Sequence, residues 1–120
     1  MEDETLTLIK RALDERYDRV YYGTAADHPK DEPWNYVVFS RERTSFAANL
    51  SGTSEVYIVA VVREGYVPTG TLEEVVGAMS AIPGMKPLAS SDAEYDYDVK
   101  PNTRSTVEMM TVRFVKGRKR

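Results

Sequence analysis

Apolar residues recur at three- and four-residue spacing near the start of the chain, where Leu6, Ile9, Leu13 and Tyr17 fall on one stripe. That period predicts an amphipathic helix over Glu4–Arg16. Asp3 or Thr5 can cap it, and the acidic Glu2, Asp3 and Glu4 suit the positive end of its dipole. The period then shortens to two. Arg19–Tyr22 reads as a short strand closed by Gly23, and Asn35–Ser40, with Tyr36, Val37, Val38 and Phe39, as a second. A polar loop, Gly23–Pro33, separates them. The charged string at 41–44, RERT, predicts a turn, followed by a further strand or irregular edge over Ser45–Leu50 and a turn at Ser51-Gly52-Thr53.

The strongest strand is Glu55–Arg63, EVYIVAVVR. One face carries Val56, Ile58, Ala60 and Val62, the other Tyr57, Val59 and Val61, so both are apolar. A sheet with one wet face alternates apolar with polar, so this strand is expected to be central and covered on both sides. Val56, Ile58 and Val62 are expected beneath the helices with Val76 and Met79. The second face, Tyr57, Val59 and Val61, is left for a helix, a loop or a neighbouring subunit. Thr71-Leu72-Glu73-Glu74 matches a capping box, and Leu72, Val75, Val76, Met79 and Ile82 give the stripe of a second helix stopped by Pro83-Gly84. Ala93–Lys100 alternates strictly, Tyr95, Tyr97 and Val99 against Glu94, Asp96 and Asp98. Pro101-Asn102-Thr103 turns the chain into a last strand, Thr106–Val115, which pairs with its predecessor as a hairpin.

These elements predict an α+β fold: two helices packed on a mainly antiparallel sheet of about four to six strands. At 120 residues the chain is one domain, 1–120, ending in a short basic tail, 116–120. A net charge of −3 weighs against a dedicated nucleic-acid binder, which usually has a basic surplus. With no cysteine there is no disulfide and no thiolate metal site. The acidic start does not resemble a signal peptide, and no apolar run approaches the roughly 20 residues of a membrane span.

Candidate chemistry is sparse. The sequence holds no phosphate-binding glycine loop, nucleophile elbow or metal-binding Cys/His pattern. His28, with Asp27, Asp31 and Glu32 nearby, could form a base or a hard-cation site, but the spacing is not that of an EF-hand, and a solvated loop explains all four. Strand alternation puts Asp92, Glu94, Asp96 and Asp98 on one side, as a wet guarded face or a surface that repels a polyanion. Lys116, Arg118, Lys119 and Arg120 form either a solubilising tail or a contact for phosphates or an acidic protein. Trp34 could anchor an interface or sit in the core.

The order of elements and several strings resemble the lambda-type tail terminator and tail-completion (neck) proteins of long-tailed phages. The strings are TLIKRALDER running into RVYYG, WNYVVFS and SEVYIVAVVREGY, PTGTLEEVVGAMSAIPG, EYDYDVK, and VEMMTVRFVKGRKR. The resemblance implies a small α+β fold and a ring, commonly hexameric, at the head–tail junction of a virion assembled in the host cytoplasm. Its implied partners are other copies of itself, the tail tube protein and the connector or stopper proteins. DNA would pass through the lumen without specific binding. It implies no catalytic residue, cofactor or metal. On this reading Asp92, Glu94, Asp96 and Asp98 face the lumen. Trp34, Tyr57, Val59, Val61, Lys116, Arg118, Lys119 and Arg120 make contacts. The competing expectation is a small nucleic-acid-binding module using the basic tail.

Overall fold

Asp3 opens the first element: its carboxylate accepts the backbone amide of Leu6 at 2.9 Å and caps α1 (Glu4–Asp14), satisfying a donor the helix leaves free. The computed structural model describes residues 3–46, 52–89 and 91–119. Helix α1 stops before the expected Arg16, because Arg16 and Tyr17 both donate their amides to the Leu13 carbonyl and turn the chain toward the sheet. Leu6, Ile9 and Leu13 are buried, as their stripe predicts.

Six strands follow: β1 (Val20–Tyr22), β2 (Tyr36–Phe46), β3 (Gly52–Glu64), β4 (Met85–Pro87), β5 (Glu94–Val99) and β6 (Thr106–Lys119), with α2 (Thr71–Ser80) between β3 and β4. They form one sheet in the order β1-β2-β3-β6, and the outer edge of β6 is shared by β4 and β5. Among the described strands only β1–β2 is parallel. The fold is therefore α+β, two helices on a mainly antiparallel sheet.

Four local expectations are corrected. The string RERT is not a turn: β2 runs through it to Phe46, with a register shift between Arg41 and Arg43 that leaves Glu42 as a bulge. The string lacks the Gly, Pro or Asn that a tight turn uses, and ladder bonds to β3 outweigh its charge. Gly52 and Thr53 belong to β3, so the connection lies at 47–51, outside the described residues, as does most of the expected strand Ser45–Leu50. The capping box does not form. Gly70 is the N-cap, with φ 97°, and Thr71 is the buried first residue of α2. A left-handed backbone suits glycine, which has no side chain to accept the free helix amides. Finally, Lys116–Lys119 is not a tail but the end of β6, with Lys119 opposite Gly52 and Arg118 opposite Thr53.

Both helices lie on one side of the sheet. Under them run matched rows, Val37–Val61–Met110 and Phe39–Val59–Val112, with Tyr57 opposite Phe114. All but Val112 in this group are fully buried, and they form one cluster with Ile9, Leu13, Val75 and Met79. Tyr57, Val59 and Val61, expected as interface contacts, are thus the core. Val56, Ile58 and Val62, expected beneath the helices, point the other way. Both sets are apolar, so alternation separates them without saying which the helices choose. Strand β6 spans 14 residues, about 46 Å of extended chain, and this sets the 52 Å long axis. At one end the paired tips of β2, β3 and β6 form a three-stranded arm.

Candidate functional site

The face opposite the helices is built by the same register. Tyr36, Val62, Met109 and Asp96 make one row across four strands, and Val38, Ala60, Thr111 and Glu94 the next. Ser40–Ile58–Arg113 and Glu64–Val107–Asp98 flank them. No helix covers this face among the described residues. Val56, Val62 and Val107 are buried between neighbouring side chains, while Tyr36, Val38, Ile58 and Met109 stay half-buried. The centre is apolar and its rim is charged.

Toward the end away from the arm the face hollows into a groove of about 320 Å³, lined by Trp34, Tyr36, Val62, Val107 and Met109, with Asp96-Tyr97-Asp98 as one wall. Trp34 is held there rather than packed in the core. Its amide donates to Glu64 Oε1 at 2.9 Å, and the Asn35 side chain accepts the Glu64 amide at 3.2 Å. The Lys100 ammonium bonds the same Glu64 oxygen at 2.7 Å and stands 5.9 Å over the Trp34 ring. Lys100, then the Trp34 amide, hold the Glu64 carboxyl below the usual glutamate range.

The acidic row is not uniform. Asp92 precedes β5, while Glu94, Asp96 and Asp98 share the helix-free face. Arg113 joins Glu94 to Glu42, donating to Glu42 at 2.8 Å and also to Glu94, so one carboxylate of the row is neutralised. Both partners raise the Arg113 guanidinium. Asp96 and Asp98 are exposed and have no ion pair among the described residues. Tyr95, Tyr97 and Val99 alternate to the other face of β5 and are also exposed.

The basic end of the chain is structured. Lys116 reaches the Thr5 hydroxyl at 3.4 Å, tying β6 to α1, and is therefore a brace rather than a free contact. Arg118 and Lys119 take their register on the arm, and Arg120 lies outside the described residues. Across β3 from them, on β2, are the exposed Arg43 and, at the tip, Phe46, 73% exposed.

His28 is not a solvated loop residue. Its Nε2 lies 2.9 Å from the Pro33 carbonyl, an acceptor, so in the neutral ring Nε2 carries the proton and Nδ1 accepts from the Tyr21 hydroxyl, also at 2.9 Å. The ring packs between Tyr21 and Tyr36. Glu32 is clamped by Arg19 at 2.9 and 2.5 Å, which lowers its carboxyl. Asp27 and Asp31 remain exposed, and no group of acidic or histidine residues could hold a metal ion among the described residues. No described helix is long and apolar enough to cross a membrane.

Sequence reasoning identified Trp34, Asp96 and Asp98 but not their common groove. Met109 and Val107, in the strand VEMMTV, carry no signal beyond hydrophobicity. The bridge from Glu42 through Arg113 to Glu94 depends on a bulge, which the charged string does not reveal. In comparison with known proteins, no family model matches the chain and no curated protein matches it.

Proposed function

We propose that the chain is a structural, self-associating subunit, in keeping with its resemblance to the ring-forming tail terminator and tail-completion proteins at the phage head–tail junction. The observation that carries this reading is the helix-free sheet face, an apolar centre on a strand that needs cover on both sides. The groove and the arm at opposite ends of that sheet add two further surfaces. The reading includes no catalytic step. His28, the one candidate base, has both ring nitrogens occupied in holding its own loop. The ion pair at Glu94 and the place of Asp96 and Asp98 beside an apolar groove favour an interface role for the acidic row over a free lumen wall.

The test is stoichiometry and position in phage particles that carry the protein. Several copies in a ring at the tail–head junction are expected, with tail tube and connector proteins as neighbours. One copy per particle, or a position elsewhere, overturns the proposal. A second reading, a DNA-binding arm, is favoured by one observation, that the basic end of β6 lies in the same sheet as Arg43. A mobility shift with duplex DNA that weakens steeply with salt would select it.

A further inference from the structure

We infer that the groove on the helix-free face receives the arm of a second copy of this chain. The inference rests on the self-association proposed above and names the contact that produces it. The groove has an aromatic and aliphatic floor, Trp34, Tyr36, Val62 and Met109, with Asp96 and Asp98 on its wall; neither is in an ion pair among the described residues, and Asp98 accepts the Val99 amide at 2.8 Å. That chemistry fits a ligand that is apolar in part and cationic in part. The groove already holds one such group at its edge, since Lys100 stands over the Trp34 ring while paired to Glu64.

The arm has the complementary chemistry. By sequence its described strands carry Arg41, Arg43, Arg118 and Lys119, besides Lys116, which braces α1, against two acidic residues, Glu42 and Glu55. By contrast, residues 91–99 hold four acidic residues and no basic one. Phe46 at the tip is more exposed than any other large apolar side chain described; it lies on the opposite side of β2 from Arg43, so the two reach a partner from either side of the β2 edge, which β1 leaves unpaired beyond Phe39. Arg43 bonds Glu42 at 2.5 Å and keeps further donors free on a half-exposed side chain.

Arm and groove cannot meet within one molecule. From Thr53 to Val62 along β3 is about 30 Å of extended strand, and the sheet between is continuously paired. A surface at one end that fits a surface at the other end of the same molecule makes a head-to-tail contact, which repeats and closes into a ring when the rotation allows.

The chain has no cysteine, so two single-cysteine variants test this directly. Ser45→Cys places a thiol on the arm and Asp98→Cys one on the groove wall; both positions are exposed. On mixing and oxidising, the 45–98 disulfide between copies is expected to exceed the 45–45 and 98–98 products. Arg43→Glu or Asp96→Lys added to the respective partner should each lower its yield about tenfold, and the two together should restore it. Thermal melts check that all variants fold. Dominant 45–45 or 98–98 products would mean a two-fold contact and overturn the inference. So would a 45–98 product indifferent to both charge reversals. Light scattering separates the two levels. Oligomers without the 45–98 product overturn the docking but leave self-association standing. Monomers without any product, in solution and in particles, overturn both. Protection of the Ser45→Cys thiol by duplex DNA with no cross-link would assign the arm to a polyanion instead.

Discussion

Tyr57, Val59 and Val61 on one side of the central strand, and Val56, Ile58 and Val62 on the other, are alike in kind and meet different surroundings. The first three are fully buried beneath α1 and α2 in a continuous cluster. The second three share a face with half-buried Tyr36, Val38 and Met109, an ion-paired arginine and two aspartates that are in no ion pair among the described residues. Hydrophobicity therefore does two jobs in one strand. On the helix side it holds the fold; on the other it forms a surface whose remaining exposed area is available to a partner.

The largest test of this contrast is Phe114→Ala. Phe114 is fully buried opposite Tyr57, and its truncation is expected to cost about 3–5 kcal/mol in denaturant unfolding. A loss typical of a surface site would break the assignment of the helix side as the core. Ile58→Ala comes next. The side chain is only half-buried, so the isolated chain should lose about 1–2 kcal/mol, below the range for a sealed core position. Assembly should suffer more than folding, read as a fall in oligomer mass by light scattering at temperatures well below a melt lowered by only a few degrees. If instead stability falls as far as for Phe114→Ala, the helix-free face is already part of the core.

A smaller effect is expected at the groove wall in acid. The Glu64 carboxyl is depressed by Lys100 and by the Trp34 amide. A depressed carboxyl contributes stability that is present above its unfolded pKa and is lost as pH falls through the folded one. The unaltered protein should therefore lose stability more steeply than Glu64→Gln as pH drops through the glutamate range. Parallel curves would mean that Glu64 does not hold Trp34 in place. The smallest effect is on the helix side at Tyr17, whose buried hydroxyl makes no hydrogen bond of good geometry among the described residues and has only the Glu74 carboxylate nearby. Burial first, then the nearby Glu74, push this phenol well above its usual value. Tyr17→Phe removes an unsatisfied group and should leave stability within about 0.5 kcal/mol or raise it slightly. A clear loss would show that the contact with Glu74 is a full hydrogen bond.

Much of the fold was legible because its elements repeat with clean periods. The stripe Leu6, Ile9, Leu13 and the alternation in 93–100 each specify an element and a face. What failed to read out was relational. The strand EVYIVAVVR shows two apolar faces, yet nothing in it says which face two helices elsewhere will occupy. Gly70 overrode the capping-box string at 71–74 because backbone conformation, not side-chain identity, sets the start of α2. Lys116–Lys119 looked like a tail until its partner at 52–55 supplied the ladder. Trp34 and the Asp96–Asp98 pair were each visible, but their meeting depends on a four-strand register that sequence spacing does not encode.

The bulge at Glu42 acts as a change of phase. Up to Arg41 the odd residues of β2 pair with the row under the helices, whereas from Arg43 onward they pair with the opposite row. Arg43 and Ser45 therefore share the open side with Val56 and Ser54, while Thr44 and Phe46 take the other. Deleting Glu42, or inserting one residue beside it, would turn the arm over relative to the body without altering a single basic or aromatic residue. The direction in which the arm presents its charge is thus written in a count of residues, and relatives of this chain could invert it by an indel of one codon.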